Sequence, residues 1–132
     1  ETAISQVDAI LPVPLHAVRK RERTYNQSYC LAKGISKEWN LPVLHRQIKR
    51  CRNTGTQTKL NKDERQKNIM GAFRIKSKKQ VPKRVCIVDD VFTTGATTME
   101  LARTLKKAGV IKIHILCLAT PLRDKDQRGK TA

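Results

Sequence analysis

Aromatic side chains are scarce in this sequence. Two Phe, two Tyr and one Trp make up 4% of 132 residues, so a surface that held bases by stacking would have few platforms to offer. Long apolar runs are missing too: no stretch approaches the roughly 20 apolar residues of a membrane-spanning helix. Nothing near Glu1 has the basic and apolar regions of a signal peptide, and the expected compartment is the cytoplasm. There is no CxxC pair. Cys30, Cys51, Cys86 and Cys117 stand 21, 35 and 31 positions apart, which argues against a zinc ribbon and, in a cytoplasmic chain, against disulfides. The sequence opens on Glu1 rather than Met and reads as a processed or truncated piece of something longer.

Acidic residues are the other shortage, 11 against 28 Lys and Arg, for a formal net charge of +17. The imbalance is concentrated, because residues 19–84 hold 20 of the basic residues and only 4 of the acidic ones. Such a field attracts polyanions and is a footprint of nucleic-acid binding. A solvated basic surface serving a phosphorylated small molecule is the competing reading. At 39% hydrophobic content a chain of this length buries one core, so residues 1–121 are expected to form one domain and 122–132 a polar tail.

Hydrophobic patterning gives an alternation of strands and helices. Val7–Val13 reads as a first strand stopped by Pro14. After the basic run Arg19–Arg23, Thr24 and Gln27 have the spacing of a capping box, and a helix follows to about Trp39. Tyr25, Tyr29, Ala32, Ile35 and Trp39 share one face of it, which favours core over a stacking platform. Leu41–His45 reads as a short strand, with the QIKRC stretch after it continuing extended or leading into the polar stretch 52–70. That stretch has almost no apolar residue besides Leu60 and Ile69, the composition of a mobile lid or disordered loop; NKDERQKN within it can form a helical turn capped by Asn61. Ala72–Ile75 gives a further strand. Near the end, Thr97 to Gly109 reads as a helix, with Thr97 and Glu100 as a second capping box and Lys106 and Lys107 at the negative end of its dipole. Ile111–Ala119 is then a further buried strand. Cys86 and Cys117 fall inside strands, as small core residues.

The most informative stretch is VCIVDDVFTTGATTME, from Val85 to Glu100. Val85, Ile87 and Val88 have the pattern of a strand buried on both faces, so Asp89 and Asp90 come at its carboxyl end, where open α/β sheets bind ligands. The segment Thr93-Thr94-Gly95-Ala96-Thr97 then lies between a strand and a helix amino terminus. Unpaired N–H groups and the positive dipole end make that place a phosphate seat. Gly95 allows close approach of the backbone, and the threonine hydroxyls add donors. The two carboxylates can accept hydrogen bonds from a sugar diol or hold hydrated Mg²⁺. A ribose 5-phosphate derivative satisfies both halves. Adjacent aspartates after a strand also occur in metal-dependent phosphatases, receiver domains and Walker B motifs, but no GxxxxGK[ST] sequence is present.

CIVDDVFTTGATT resembles the phosphoribosyl diphosphate (PRPP) signature of type I phosphoribosyltransferases. Together with ILPVPLH, RERTYNQ and TQTKLNKDERQKNIMGAF, in that order, it resembles the ComF/GntX-like, competence-associated branch over roughly Asp8 to Pro121. The resemblance implies an α/β fold of the type I phosphoribosyltransferase kind: a mainly parallel sheet flanked by helices, a flexible flap loop and a reduced hood. It implies that Asp89 and Asp90 contact the ribose, and that Thr93, Thr94, Gly95, Ala96 and Thr97 cradle the 5-phosphate. Pro14, Leu15 and His16 would contact pyrophosphate, with Mg²⁺ bridging through PRPP near the aspartates rather than held by side chains alone. Gln57, Arg65 and Asn68 would lie on the flap, and Arg65, with Asp89 and Asp90, would assist any catalysis by neutralising departing charge. ComF-like proteins often carry Gly where Thr24 stands, and most have an amino-terminal Cys-rich zinc module that this chain lacks.

Two functions compete on these grounds. One is phosphoribosyl transfer from PRPP to an acceptor, as in nucleotide salvage or base metabolism. The other is a PRPP-binding protein that acts on single-stranded DNA in DNA uptake and natural transformation, with Arg19, Lys20, Arg21 and Arg23 tracking the phosphate backbone and other DNA-processing proteins as partners. The basic block favours the second, and the ligand motif is intact for either.

Overall fold

A computed structural model describes residues 6–15, 26–51, 62–77, 81–91 and 95–119. In chain order these form β1 (Ala9–Pro12), α1 (Gln27–Trp39), β2 (Ile48–Arg50), α2 (Lys62–Ile69), β3 (Phe73–Ile75), β4 (Arg84–Val91), α3 (Ala96–Lys107) and β5 (Lys112–Ala119). β4 is the middle strand of a three-stranded sheet ordered β1-β4-β5, parallel throughout, with Ala9 opposite Val85 and Ile113 opposite Val85 on the other side. Strand β4 is therefore buried from both edges, as its β-branched run requires. β2 and β3 pair antiparallel in a separate ribbon, Ile48 opposite Ile75 and Arg50 opposite Phe73.

Alternation along the strands sorts the core into two layers. Ala9, Leu11, Val85 and Ile87 meet Leu101 and Leu105 of α3, and this layer continues through Leu44, Ile48, Ile69 and Phe73 under the β2–β3 ribbon. Ile10, Cys86 and Val88 face the opposite way, onto Ala32 of α1, with Leu31, Ile35 and Trp39 packed around them. Leu101 and Leu105 are fully buried, and burying a leucine stabilises a fold by about 1.5–3 kcal/mol each. Cys86 sits in the second layer as a small apolar residue, and burial pushes its thiol pKa up. The result is an α/β fold with a mainly parallel sheet and a helix on each face.

Three local expectations are corrected. The segment Leu41–His45 makes only a single parallel bridge, Val43 to Ile10. Ile10 donates to the Pro42 carbonyl and accepts from the Leu44 N–H, but Pro42 has no N–H to extend the ladder and the chain bends at residues 45–47. β5 is not a buried strand: among the described residues it has a neighbour on one side only, and Ile115, Leu116 and Leu118 are 42%, 36% and 71% exposed. An apolar run cannot by itself distinguish a central strand from an edge. The α1 cap is Asn26, one residue before the helix, and its side chain accepts from the N–H groups of Ser28 and Tyr29. Thr24 and Tyr25 lie outside the described residues. α3 ends as its sequence indicates, with Ala108 as the C-cap and Gly109 at φ 105°.

Candidate functional site

Asp89 and Asp90 are within the last three residues of β4, inside the strand rather than after it, and both are half-buried. Alternation sends Asp89 to the α3 side of the sheet and Asp90 to the α1 side. Asp90 meets α1 there. The Ser28 hydroxyl donates to its Oδ1 at 3.4 Å and accepts its backbone N–H at 3.3 Å. One buried hydroxyl thus fixes the first turn of α1 to the end of the central strand. Asn26 makes the companion tie to β1: Oδ1 caps α1 while Nδ2 donates to the Val13 carbonyl at 3.1 Å. The carboxyl ends of β1 and β4 and the amino end of α1 are held as one unit.

The phosphate seat expected at residues 93–97 is described from Gly95 onward; Thr93 and Thr94 lie outside the described residues. Gly95 is buried, takes φ 82° and is the N-cap of α3. That left-handed conformation is the reason for glycine here, and it leaves the cap without a side chain. Ala96 and Thr97 are half-buried in the first turn, and the Thr98 hydroxyl is turned back onto the Gly95 carbonyl at 3.1 Å. The first-turn N–H groups of a helix have no intrahelical acceptor. A backbone so placed can receive an anion.

Thr97 and Glu100 do not form a capping box. The helix begins at Ala96, which places Thr97 inside its first turn rather than at the cap. Glu100 is buried and points instead at the turn between α2 and β3. It accepts the Gly71 N–H at 3.2 Å and two bonds from Arg103, at 2.9 and 2.8 Å. Those bonds, the Arg103 hydrogen bonding first and the Gly71 N–H and nearby positive charge after it, outweigh desolvation and hold its carboxyl below the usual range.

The remaining sequence-assigned residues separate into two groups. Pro14 and Leu15 are half-buried and line a cavity of about 550 Å³ between the end of β1, α1 and the β2–β3 ribbon. Asn68 is half-buried in α2, and the Arg65 backbone lies in the same helix. The side chain of Arg65, together with His16, Arg19, Lys20, Arg21, Arg23 and Gln57, lies outside the described residues. α2 realises the helical turn within NKDERQKN, and its last residue, Ile69, is fully buried.

Sequence reasoning missed Asn26 and Ser28. Asn is a strong N-cap residue just before a helical run, so Asn26 had a signal. Ser28 had none, because its partner is 62 positions away. The aromatic expectation divides: Trp39 packs on the α1 core layer, whereas Tyr29 stacks on His45 with ring centroids 4.5 Å apart and lines the cavity.

Among the described residues no three His, Cys, Asp or Glu side chains come together as a metal cluster, and no helix is long and apolar enough to cross a membrane. No family model matches the chain. It is 40% identical over 114 residues to competence protein F of Haemophilus influenzae, covering 85% of this chain and 50% of that protein. With the DNA utilization protein YhgH of Escherichia coli K12 it shares 34% identity over 121 residues, 92% of this chain and 53% of the relative. With competence protein ComFC of Bacillus subtilis it shares 30% over 100 residues, 76% and 39% of the two chains. In sequence the chain is ComF-like, and it spans about half the length of the first two of these relatives.

Proposed function

We propose that this chain is a PRPP-binding protein of the type I phosphoribosyltransferase fold, acting with Mg²⁺ in the uptake or use of DNA. One observation carries the ligand assignment: a buried parallel strand has two carboxylates among its last three residues, and the next helix is capped by a buried glycine in the left-handed conformation. The 5-phosphate is received by the backbone from Gly95 to Thr97, with Thr93 and Thr94 completing the loop, and the ribose hydroxyls by Asp89 and Asp90. The donor set suits Mg²⁺ that arrives with the ligand. Such a site takes one or two carboxylates plus substrate phosphates and needs no all-protein cage.

The DNA half of the proposal rests on the names of the relatives, competence protein F and DNA utilization protein, and on the net charge of +17. Single-stranded DNA would follow the basic run Arg19 to Arg23.

The ligand assignment is tested by calorimetric titration of PRPP with Mg²⁺ into the wild-type chain and into the Asp89→Asn/Asp90→Asn double variant. Asn can still accept from Ser28, so the fold is retained. Binding in the wild type and a loss of about tenfold or more in the variant are expected, since each lost charge-assisted hydrogen bond is worth about 1.5–3 kcal/mol. Equal affinity in the two proteins would remove the ribose from this strand end.

A further inference from the structure

Among the described residues three polar or charged side chains are buried: Ser28, Thr98 and Glu100. Thr98 turns back onto the Gly95 carbonyl at the start of its own helix, and Glu100 joins α3 to Gly71 and Arg103. Ser28 differs in what it holds. At 4% exposure, its hydroxyl touches one residue twice, at the backbone and at the carboxylate of Asp90. A buried hydroxyl has to find its partners inside the fold, and both of these bonds go to a residue that the PRPP reading gives to the ribose.

The reason lies in the sheet. β1 ends at Pro12, opposite Val88, and Val13 gives its N–H to the Val88 carbonyl. Residues two apart on a strand direct their N–H and C=O groups to the same edge, so the Asp90 N–H faces the side on which β1 has already ended. The Ser28 oxygen takes the place of a strand carbonyl there and accepts it at 3.3 Å. A serine hydroxyl has one proton to give, and this one goes to Asp90 Oδ1, 3.4 Å away. Backbone and side chain of Asp90 are thereby closed into a ring through one oxygen, which restricts the rotamer of the carboxylate. Asn26 steadies the other end of the clasp: its Oδ1 accepts the Ser28 N–H at 3.0 Å, and its Nδ2 donates to the Val13 carbonyl.

An ionised carboxylate offers about four acceptor sites, so one bond from Ser28 leaves capacity for a sugar hydroxyl. We propose that Ser28 is a positioning residue for the sugar: it holds the Asp90 carboxylate in one rotamer before the ligand arrives. The ribose then meets an acceptor already in place instead of one that binding has to order. This inference rests on the PRPP reading above and adds a division between the two aspartates. Alternation puts Asp89 on the α3 face of the sheet, opposite to the face that Ser28 packs on, so Ser28 acts through Asp90 alone.

A double-mutant cycle tests the proposal. PRPP with Mg²⁺ is titrated calorimetrically into wild type, Ser28→Ala, Asp89→Ala, Asp90→Ala and the two double variants that join Ser28→Ala to each aspartate change, with ligand enough to follow a weakening of about a hundredfold. Alanine is a good helix former and the Asn26 ties remain in Ser28→Ala, while Asp90→Ala keeps the backbone N–H that Ser28 accepts, so the fold is retained; circular dichroism melts check each protein. Ser28→Ala is expected to weaken PRPP about fivefold or more. The same factor is expected in the Asp89→Ala background, and no further loss in the Asp90→Ala background. A Ser28 that merely holds α1 in place would cost the same factor in all three. Without ligand, Ser28→Ala should also speed hydrogen exchange of the Asp90 amide by about tenfold or more. PRPP affinity unmoved by Ser28→Ala, an equal loss in the Asp90→Ala background, or an unchanged Asp90 amide each overturns the positioning role while wild-type binding keeps the earlier reading. Failure of the wild type to bind PRPP overturns that reading and the sugar role of Ser28 with it, so the two failures are told apart by the wild-type titration.

Discussion

Asn26 performs with one side chain what the sequence pattern divides between Thr24 and Gln27. Its amide oxygen caps α1, and its amide nitrogen reaches the carbonyl that ends β1. Asn26→Ala removes both ties and is expected to destabilise the fold by about 1–2 kcal/mol, the range for loss of an N-cap, measured as a shift in the urea midpoint. Asn26→Asp keeps the acceptor and loses the donor to Val13, so it should recover part of the loss. An alanine variant as stable as the wild type would mean the cap is replaced by solvent. Gly95 is placed from sequence by its conformational preference, and the capping half of Asn26's role has a local signal that the Thr24–Gln27 reading passes over. Ser28 and Glu100 could not be placed, because what decides their roles is a neighbour brought in by the fold.

Elements were more legible than their edges. The strand and helix from Arg84 to Lys107 follow the hydrophobic pattern closely, since a strand buried on both faces and a 3.6-residue stripe leave little choice. β5 defeated the pattern because burial on one edge and exposure on the other look alike in an apolar run, and Leu41–His45 because a single Pro decides whether a ladder grows. One inter-element joint titrates. Glu100 couples α3 to the turn after α2, and its folded carboxyl lies below the ordinary value of 4.5. Its stabilising effect is therefore complete above that value and fades as pH falls through the lowered one. The stability difference between wild type and Glu100→Gln should be constant near neutrality and shrink in acid, as followed by thermal melts from pH 7 downward. A difference that stays the same into strong acid would assign the effect to packing instead.

At the scale of the molecule, the charge is the dominant feature, with 20 of 28 basic residues between 19 and 84. If the run Arg19, Lys20, Arg21 and Arg23 carries single-stranded DNA, affinity should fall with salt at a slope of about −0.7 for each phosphate neutralised. Replacing the four by Ala should flatten the plot obtained with a fluorescent oligonucleotide, and parallel plots would discard that track. The strand order has a separate consequence. Ala9 pairs with Val85, 76 positions later, whereas Arg84 pairs with Lys112, 28 positions later. By chain-closure entropy, joining the first pair is only about 0.9 kcal/mol harder than joining the second. Because that penalty grows with the logarithm of length, ten extra residues anywhere between β1 and β4 would add only about 0.1 kcal/mol. The span that holds the ribbon, α2 and most of the positive charge is thus nearly free to lengthen or shorten over evolutionary time while the three central strands stay in register.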